Sequence, residues 1–165
     1  MEEYRGYGNS YLLQYLENWG DELNEETKEF LKKVEVLGEK ELIELKEKGL
    51  DLLVENDPHI WYYWPALMPR LFLKMVHIFG HPTIRSTDGG KTFFTYLFKY
   101  KGHIIEVRDK RGAILFLHMT PYPVGKEDIP PQEGAEEILK EFAENLIWMA
   151  LNVTPLNYSD RDIWL

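Results

Sequence analysis

The chain has 165 residues, a formal net charge of −9 and no cysteine, which excludes disulfides, thiol nucleophiles and thiolate metal sites. The length is typical of one domain, and 44% apolar with 14% aromatic residues is the composition of a folded globular chain. No apolar run is long enough to span a membrane, and the acidic start MEEYRGYGNS does not have the pattern of a signal peptide. We therefore expect a soluble cytoplasmic protein, and the abundance of Glu and Lys with few Gln suggests a hyperthermophile origin.

The charge is unevenly distributed along the chain. Residues 1–57 hold 16 acids and 7 bases, residues 58–125 hold 3 acids and 9 bases, and residues 126–165 hold 9 acids and 3 bases. Two interpretations follow: acidic helices pack beside a basic sheet, or a basic face meets an anionic partner. The acidity of the whole chain argues against nucleic acid as a partner.

The N-terminal part, about residues 9–80, has helical patterns. Helices are predicted at about 10–19, from 25 to about 37 after an Asn24 cap, at 40–48, and at 69–79 before Gly80. Asp57 followed by Pro58 has the form of a helix start, which would make the aromatic stretch 59–64 helical.

The central part, about residues 82–120, predicts a β-meander. Strands are placed near 83–86, 91–100, 103–109 and 113–120, and their short junctions make neighbouring strands antiparallel. A proline-rich stretch, 120–134, precedes a final helix at about 135–151 and a tail, 152–165, that either docks on the body or serves as a binding peptide. The predicted fold is a single α+β domain over residues 1–165, with N-terminal helices, a four-stranded antiparallel meander and a C-terminal helix packed on the sheet.

Turn chemistry predicts the register of the sheet. The Lys101-Gly102 turn pairs Tyr100 with His103, and a three-residue loop after Asp109 would pair Val107 with Leu115 and His103 with Met119. This register separates two faces. The predicted core face holds Phe94, Tyr96, Phe98, Ile105, Val107, Leu115, Leu117 and Met119. The other, which we call the mixed face, holds Phe93, Thr95, Leu97, Lys99, Ile104, Glu106, Arg108, Ile114, Phe116 and His118.

The mixed face contains the candidate catalytic residues. Glu106 and His118 are predicted to be diagonal neighbours, with Arg108 and Thr95 close to them. A carboxylate beside an imidazole can act as a general base, and it is also an ordinary cross-strand polar pair. No serine lies beside His118 in the sequence, so a Ser-His-Asp triad has no support.

Four consecutive aromatic residues, Trp61, Tyr62, Tyr63 and Trp64, are the candidate binding residues. They cannot all point inward from one helical turn, so some need another cover. Large aromatic side chains fill cores, anchor interfaces and line pockets, and the sequence leaves these alternatives open.

Residues 86–93, STDGGKTF, form one local motif. The segment resembles the Asp-box, S-x-D-x-G-x-T-W/F, a structural hairpin best known as repeats in sialidase-type propellers. The resemblance covers one copy of eight residues and implies a hairpin, without a family or a catalytic role. A phosphate-binding P-loop is excluded, because Arg85 stands where that motif needs glycine and a strand follows where it needs a helix.

No motif carries an assigned function. His77 and His81 have a spacing seen in metal sites, but Gly80 and Pro82 end the helix and no third ligand follows, so neither a metal nor a cofactor is expected. The leading hypothesis is a non-enzymatic binding or interaction module with a protein partner, or a homo-oligomer. The alternative is a small-molecule-binding domain or enzyme, with a pocket between the mixed face and the N-terminal helices. A third and weaker hypothesis is nucleic-acid contact by the basic residues of the sheet together with one tyrosine, namely Lys99, Lys101, Arg108, Lys110, Arg111 and Tyr100.

Overall fold

The computed structural model describes residues 11–49, 58–85, 94–121 and 134–153, and all structural statements below concern these ranges. The helices are α1 (Tyr11–Trp19), a 3₁₀ turn (Gly20–Glu22), α2 (Glu25–Lys33), α3 (Glu39–Glu47), α4 (Met68–Phe79) and α5 (Ala135–Asn152). The strands are β1 (Glu35–Val36), β2 (His59–Tyr63), β3 (Ile84–Arg85), β4 (Phe94–Tyr100), β5 (His103–Lys110) and β6 (Ile114–Pro121). None of these helices is long and apolar enough to cross a membrane.

The strands form one antiparallel sheet. The order across it is β1-β4-β5-β6-β2, and β3 pairs with β4 on the same side as β1. The predicted α+β class, the meander and the covering C-terminal helix are therefore confirmed. The meander gains two strands that we did not predict, β1 beside β4 and β2 beside β6.

The core lies between the predicted core face and the helices. All eight residues assigned to that face from the sequence are buried. Helix α4 contacts the sheet through Phe72, stacked on Phe94 at 4.7 Å between ring centroids, and α5 contacts it through Phe142, 5.1 Å from Phe98. Helix α1 packs against α4, and α2 packs against α5.

One predicted helix was too long. Helix α2 starts after Asn24 as expected, with the Asn24 side chain accepting a hydrogen bond from the Thr27 amide at 2.7 Å. It ends at Lys33, however, and the next residues form β1. The physical reason is pairing with the sheet: Val36 lies opposite Phe98, and the Leu37 amide donates to the Leu97 carbonyl at 2.9 Å.

The aromatic stretch after Pro58 is a strand, so our helical interpretation was wrong. Residues 59–63 form β2, which pairs with β6 along its whole length. Tryptophan, tyrosine and isoleucine favour strands, and the neighbouring β6 supplies the backbone hydrogen bonds that a helix would have made internally. Asp57, the proposed helix cap, lies outside the described residues, as do the hairpin at 86–93, most of the proline-rich stretch and the tail from 154.

The register between β5 and β6 differs from the prediction by two residues. The β4–β5 pairing is as predicted, with Tyr100 opposite His103. In the β5–β6 pairing, Val107 lies opposite Leu117 instead of Leu115. The loop still has three residues, but Lys110 pairs with Ile114, so the loop consists of residues 111–113 instead of 110–112. A shift of two preserves the faces because side chains alternate with period two.

The side chain of Asp109 supports this turn. Its two carboxylate oxygens accept hydrogen bonds from the Phe94 and Gly112 amides, both at 2.9 Å. Asp109 therefore stays within the ladder, opposite Leu115, and the backbone turns at Arg111 and Gly112, both of which have positive φ.

Candidate functional site

The structure brings the two sets of candidate residues together on the mixed face. Across the sheet, Trp61 lies opposite Phe116, and Phe116 lies opposite Arg108. In the next row, His59 lies opposite His118, which lies opposite Glu106. Because side chains paired across antiparallel strands share a face, the aromatic run and the polar cluster form one continuous surface.

Glu106 and His118 are direct cross-strand partners, which corrects the diagonal arrangement expected from the sequence. The Glu106 Oε1 lies 3.6 Å from the His118 Nδ1, and its Oε2 lies 3.8 Å from an Arg108 terminal nitrogen. The Glu106 and His118 side chains are nearly fully buried, whereas the Arg108 side chain is 30% exposed. The three ionisable groups form a compact cluster with one side open to solvent.

Arg108 has unused hydrogen-bonding capacity. Its Nε is buried and has no hydrogen-bond partner among the described residues. Its terminal nitrogen contacts Glu106 only beyond hydrogen-bond distance. A guanidinium carries five donors, so Arg108 retains donors for an acceptor that approaches the face from outside.

Phe116 is the centre of the exposed part of the face. The Lys110 Nζ lies 4.3 Å from its ring centroid and the Arg108 Cζ lies 5.0 Å from it. The His59 ring stacks beside it at 5.7 Å. Two cations held near one aromatic ring keep positive charge close to an apolar surface.

The four aromatic residues after Pro58 point in different directions. Trp61 and Tyr63 lie on the mixed face and are 60% and 69% exposed. Tyr62 lies on the opposite side of the strand and packs against the core, and Trp64 follows the strand and is 39% exposed. The four aromatic side chains therefore divide between the core and the surface, as expected, but because side chains alternate along a strand and not because they rotate around a helix.

We use the name aromatic–basic patch for five residues of the mixed face: Trp61, Tyr63, Arg108, Lys110 and Phe116. They belong to three adjacent strands, β2, β6 and β5. The sheet positions them through regular pairing, so the patch is part of the rigid scaffold.

The other end of the mixed face is covered by α3. Leu42 and Leu45 of that helix form a small apolar cluster with Leu97 and Ile104 of the sheet. Helices α1, α2, α4 and α5 belong to the core-face side. Of the N-terminal helices, α3 is therefore the one beside which a pocket on this face could lie.

The residues of the nucleic-acid hypothesis do not form one exposed surface, although the Lys101 Nζ lies 5.3 Å from the Tyr100 ring centroid. Tyr100 is 1% exposed and belongs to the core. Lys101 is engaged with Glu141 of α5, at 3.1 Å. Arg108 and Lys110 lie on the patch instead, so this set does not form a surface with a stacking tyrosine.

Two contributors to the site were not predicted from the sequence. Phe116 was placed on the mixed face but was not chosen as a candidate, and His59 was assigned to a helix. The alternation of β6, with Leu115 and Leu117 inward, already indicated that Phe116 points to the other face. In the described ranges, no group of three or more His, Asp or Glu residues is arranged to hold a metal ion.

Comparison with protein-family models, with curated proteins and with solved structures finds no significant match to this chain.

Proposed function

We propose that this protein is a non-enzymatic interaction module that binds a protein partner through the aromatic–basic patch. The observation that carries the proposal is the exposure of Trp61 and Tyr63, at 60% and 69%, on a rigid strand beside Arg108 and Lys110. Tryptophan, tyrosine and arginine are the residue types that most often dominate binding energy at protein interfaces.

The surroundings of the patch support binding over a purely structural role. Trp61 and Tyr63 leave most of their surface in water, although the strand that carries them also contributes Ile60 and Tyr62 to the core. Covering such side chains on a rigid strand costs little conformational entropy, because few rotatable bonds become fixed. The partner is a different protein or a second copy of this chain, and we propose the cytoplasm as the compartment for the sequence reasons given above.

The alternative function, a small-molecule site or an enzyme, is favoured by one observation. Glu106 and His118 form a buried carboxylate–imidazole pair 3.6 Å apart, with Arg108 at its edge. Such a pair can hold and move a proton. The two proposals differ in what they require: the alternative needs Glu106 and His118 for binding, whereas the interaction module needs the exposed aromatic side chains.

Photo-crosslinking tests the proposed function. Replacing Tyr63 by p-benzoylphenylalanine keeps an exposed aromatic on the patch, and the same replacement at Leu13, 64% exposed on α1, is the matched control. After irradiation in an extract of the source cells, we expect a discrete protein adduct at position 63 and none at position 13.

Two further variants separate the alternatives. Glu106→Gln and His118→Gln should leave the adduct at position 63 unchanged if the exposed aromatics carry binding. Equal adduct formation at positions 63 and 13, or none at either, would contradict the interaction module. Retention of a small molecule that both variants lose would favour the alternative.

A further inference from the structure

The hydrogen-bond phase of β2 leaves part of its backbone directed away from the sheet. The Trp64 amide donates to the Ala113 carbonyl at 2.8 Å, and the Met119 amide donates to the Pro58 carbonyl at 3.0 Å. In an antiparallel ladder every second residue directs its backbone amide and carbonyl toward the partner strand. Tyr62 therefore directs these groups toward β6, while Trp61 and Tyr63 direct theirs outward. No described strand pairs with that outer side, because β2 ends the sheet.

The residues of β2 are not of the types that usually protect the edge of a sheet. Residues 59–63 include no Lys, no Pro and no acidic residue. Natural sheets commonly block an open edge with such residues because it can pair with another chain. Pro65, the next position of the outward phase after Tyr63, has no amide, so the outward amides of this edge end at Tyr63.

The charge of the neighbouring surface selects the occupant. On the mixed face of β5, Arg108 and Lys110 carry the exposed charge, while the carboxylate of Glu106 is nearly fully buried. Strand β2 itself contains no Lys, Arg, Asp or Glu, and the cationic groups of Arg108 and Lys110 lie against Phe116, on the strand next to it. Across separations shorter than the Debye length, about 8–10 Å, these charges attract an acidic segment and repel a basic one.

We infer that the outer edge of β2 receives an extended acidic segment of a partner protein as a seventh strand. Main-chain hydrogen bonds to Trp61 and Tyr63 hold the segment, and Arg108 and Lys110 favour Asp or Glu on the side that shares the mixed face. This inference rests on the proposed function and names the partner's chemistry and its mode of binding.

The test uses labelled peptides of about eight residues, a length that spans the edge of β2. One peptide alternates Val with Glu and its control alternates Val with Lys, so that all charges lie on one face of an added strand. Fluorescence anisotropy should show saturable binding of the Glu peptide to the full chain, weakened by salt. Equal binding of the Lys peptide, or no binding of the Glu peptide at millimolar concentration, would overturn the inference.

Matched variants locate the contact. Tyr63→Pro removes the outward amide without disturbing the β6 ladder, and Tyr63→Val removes the same ring but keeps the amide. We expect Tyr63→Pro to bind the Glu peptide at least about tenfold more weakly than Tyr63→Val. Lys110→Glu should weaken binding of the Glu peptide about threefold or more. The control Lys140→Glu, at an exposed position on α5, should change the affinity less than about twofold. Equal affinities of the two Tyr63 variants would exclude strand addition.

Amide hydrogen exchange separates failure of this inference from failure of the proposed function. The Glu peptide should slow exchange at Trp61 and Tyr63 relative to the free protein. If a partner crosslinks at position 63 but these amides stay unprotected, the interaction module stands and strand addition is wrong. Protection of the same amides in the peptide-free protein, in proportion to a dimer seen by sedimentation, would assign the edge to a second copy. Tighter binding of an oligothymidylate than of the Glu peptide would assign the face to nucleic acid.

Discussion

The contact between α5 and the core face can be tested by removing one ring. Phe142 is completely buried near the middle of α5. Its ring centroid lies 4.8 Å from Phe30, 5.1 Å from Phe98 and 5.4 Å from Tyr100. Phe142→Ala would leave a cavity where α2, α5 and β4 meet.

The expected loss of stability follows from these contacts. Burying a large apolar side chain contributes about 1.5–3 kcal/mol. Aromatic pairs add about 0.5–1.5 kcal/mol each beyond their buried area. The surrounding rings are held by α2 and by the paired strand β4, which limits their movement into the space. We therefore expect Phe142→Ala to lower the free energy of unfolding by about 4 kcal/mol, within the usual range of about 3–5 kcal/mol.

Urea denaturation measures this loss. Phe142→Leu is the matched control, since it keeps much of the volume but loses the three ring contacts, and it should cost about 2 kcal/mol, clearly less than Phe142→Ala. The dependence of the unfolding free energy on urea should stay the same, because the same surface is exposed on unfolding. A loss below about 1 kcal/mol for Phe142→Ala would refute the conclusion that α5 covers the core face.

Three other predictions concern individual side chains. Tyr62→Ser should lower the free energy of unfolding by about 1–2 kcal/mol, whereas Tyr63→Ser should change it by less than about 0.5 kcal/mol and weaken partner binding, as urea melts and crosslinking can show. Burial lowers the pKa of His103 below its ordinary 6.5, so in acid the unfolded chain binds more protons than the folded protein. The free energy of unfolding should therefore fall as the pH drops below about 6.5, and it should fall less steeply in His103→Gln. Urea melts at about pH 5 and 7.5 measure the difference. Lys74→Met removes the 3.0 Å hydrogen bond to the Ala150 carbonyl at the end of α5, and it should lower the free energy of unfolding by about 1–2 kcal/mol in the same assay. A gain in stability would show that burying this amine costs more free energy than its hydrogen bond contributes.

The sequence predicted the faces of the sheet better than its pairing. Every residue assigned to the core face is buried there, although the β5–β6 register was wrong by two positions. The alternation of apolar and polar residues determines which side a residue faces, and a shift of two leaves it unchanged. The register depends on which three residues form the loop. The Asp109 side chain, which precedes the loop, stabilises the observed choice by accepting hydrogen bonds from the Phe94 and Gly112 amides.

The candidate site was predicted in pieces that the sequence could not join. Glu106 and Arg108 share a face through alternation along β5, and the predicted β5–β6 loop placed His118 on the same face, whereas Trp61 was treated separately because β2 was taken for a helix. Both sides of β2 carry apolar or aromatic side chains, so the alternation that identifies a strand is absent from it. Its pairing with β6 is a contact between distant parts of the chain, and no local pattern encodes it.

The cover of the mixed face was also beyond local patterns. Helix α3 was predicted at nearly its observed position, but no local pattern indicated that it lies on the opposite side of the sheet from the other helices. Strand β1, which directly precedes α3 in the sequence, pairs with β4, and Leu42 and Leu45 of α3 then cluster with Leu97 of that strand. The prediction of a helix is local, whereas the choice of its layer depends on this distant pairing.

Hydroxyl-radical footprinting of Trp61 most directly tests the central claim that the aromatic–basic patch is a binding surface. Trp61 is 60% exposed and Trp19, on α1, is 40% exposed, so both should be oxidised in the purified protein, and Trp19 serves as a control of the same residue type. In an extract of the source cells, we predict that oxidation of Trp61 falls several-fold relative to Trp19, because a partner covers the patch. An unchanged ratio of Trp61 to Trp19 oxidation would contradict the account.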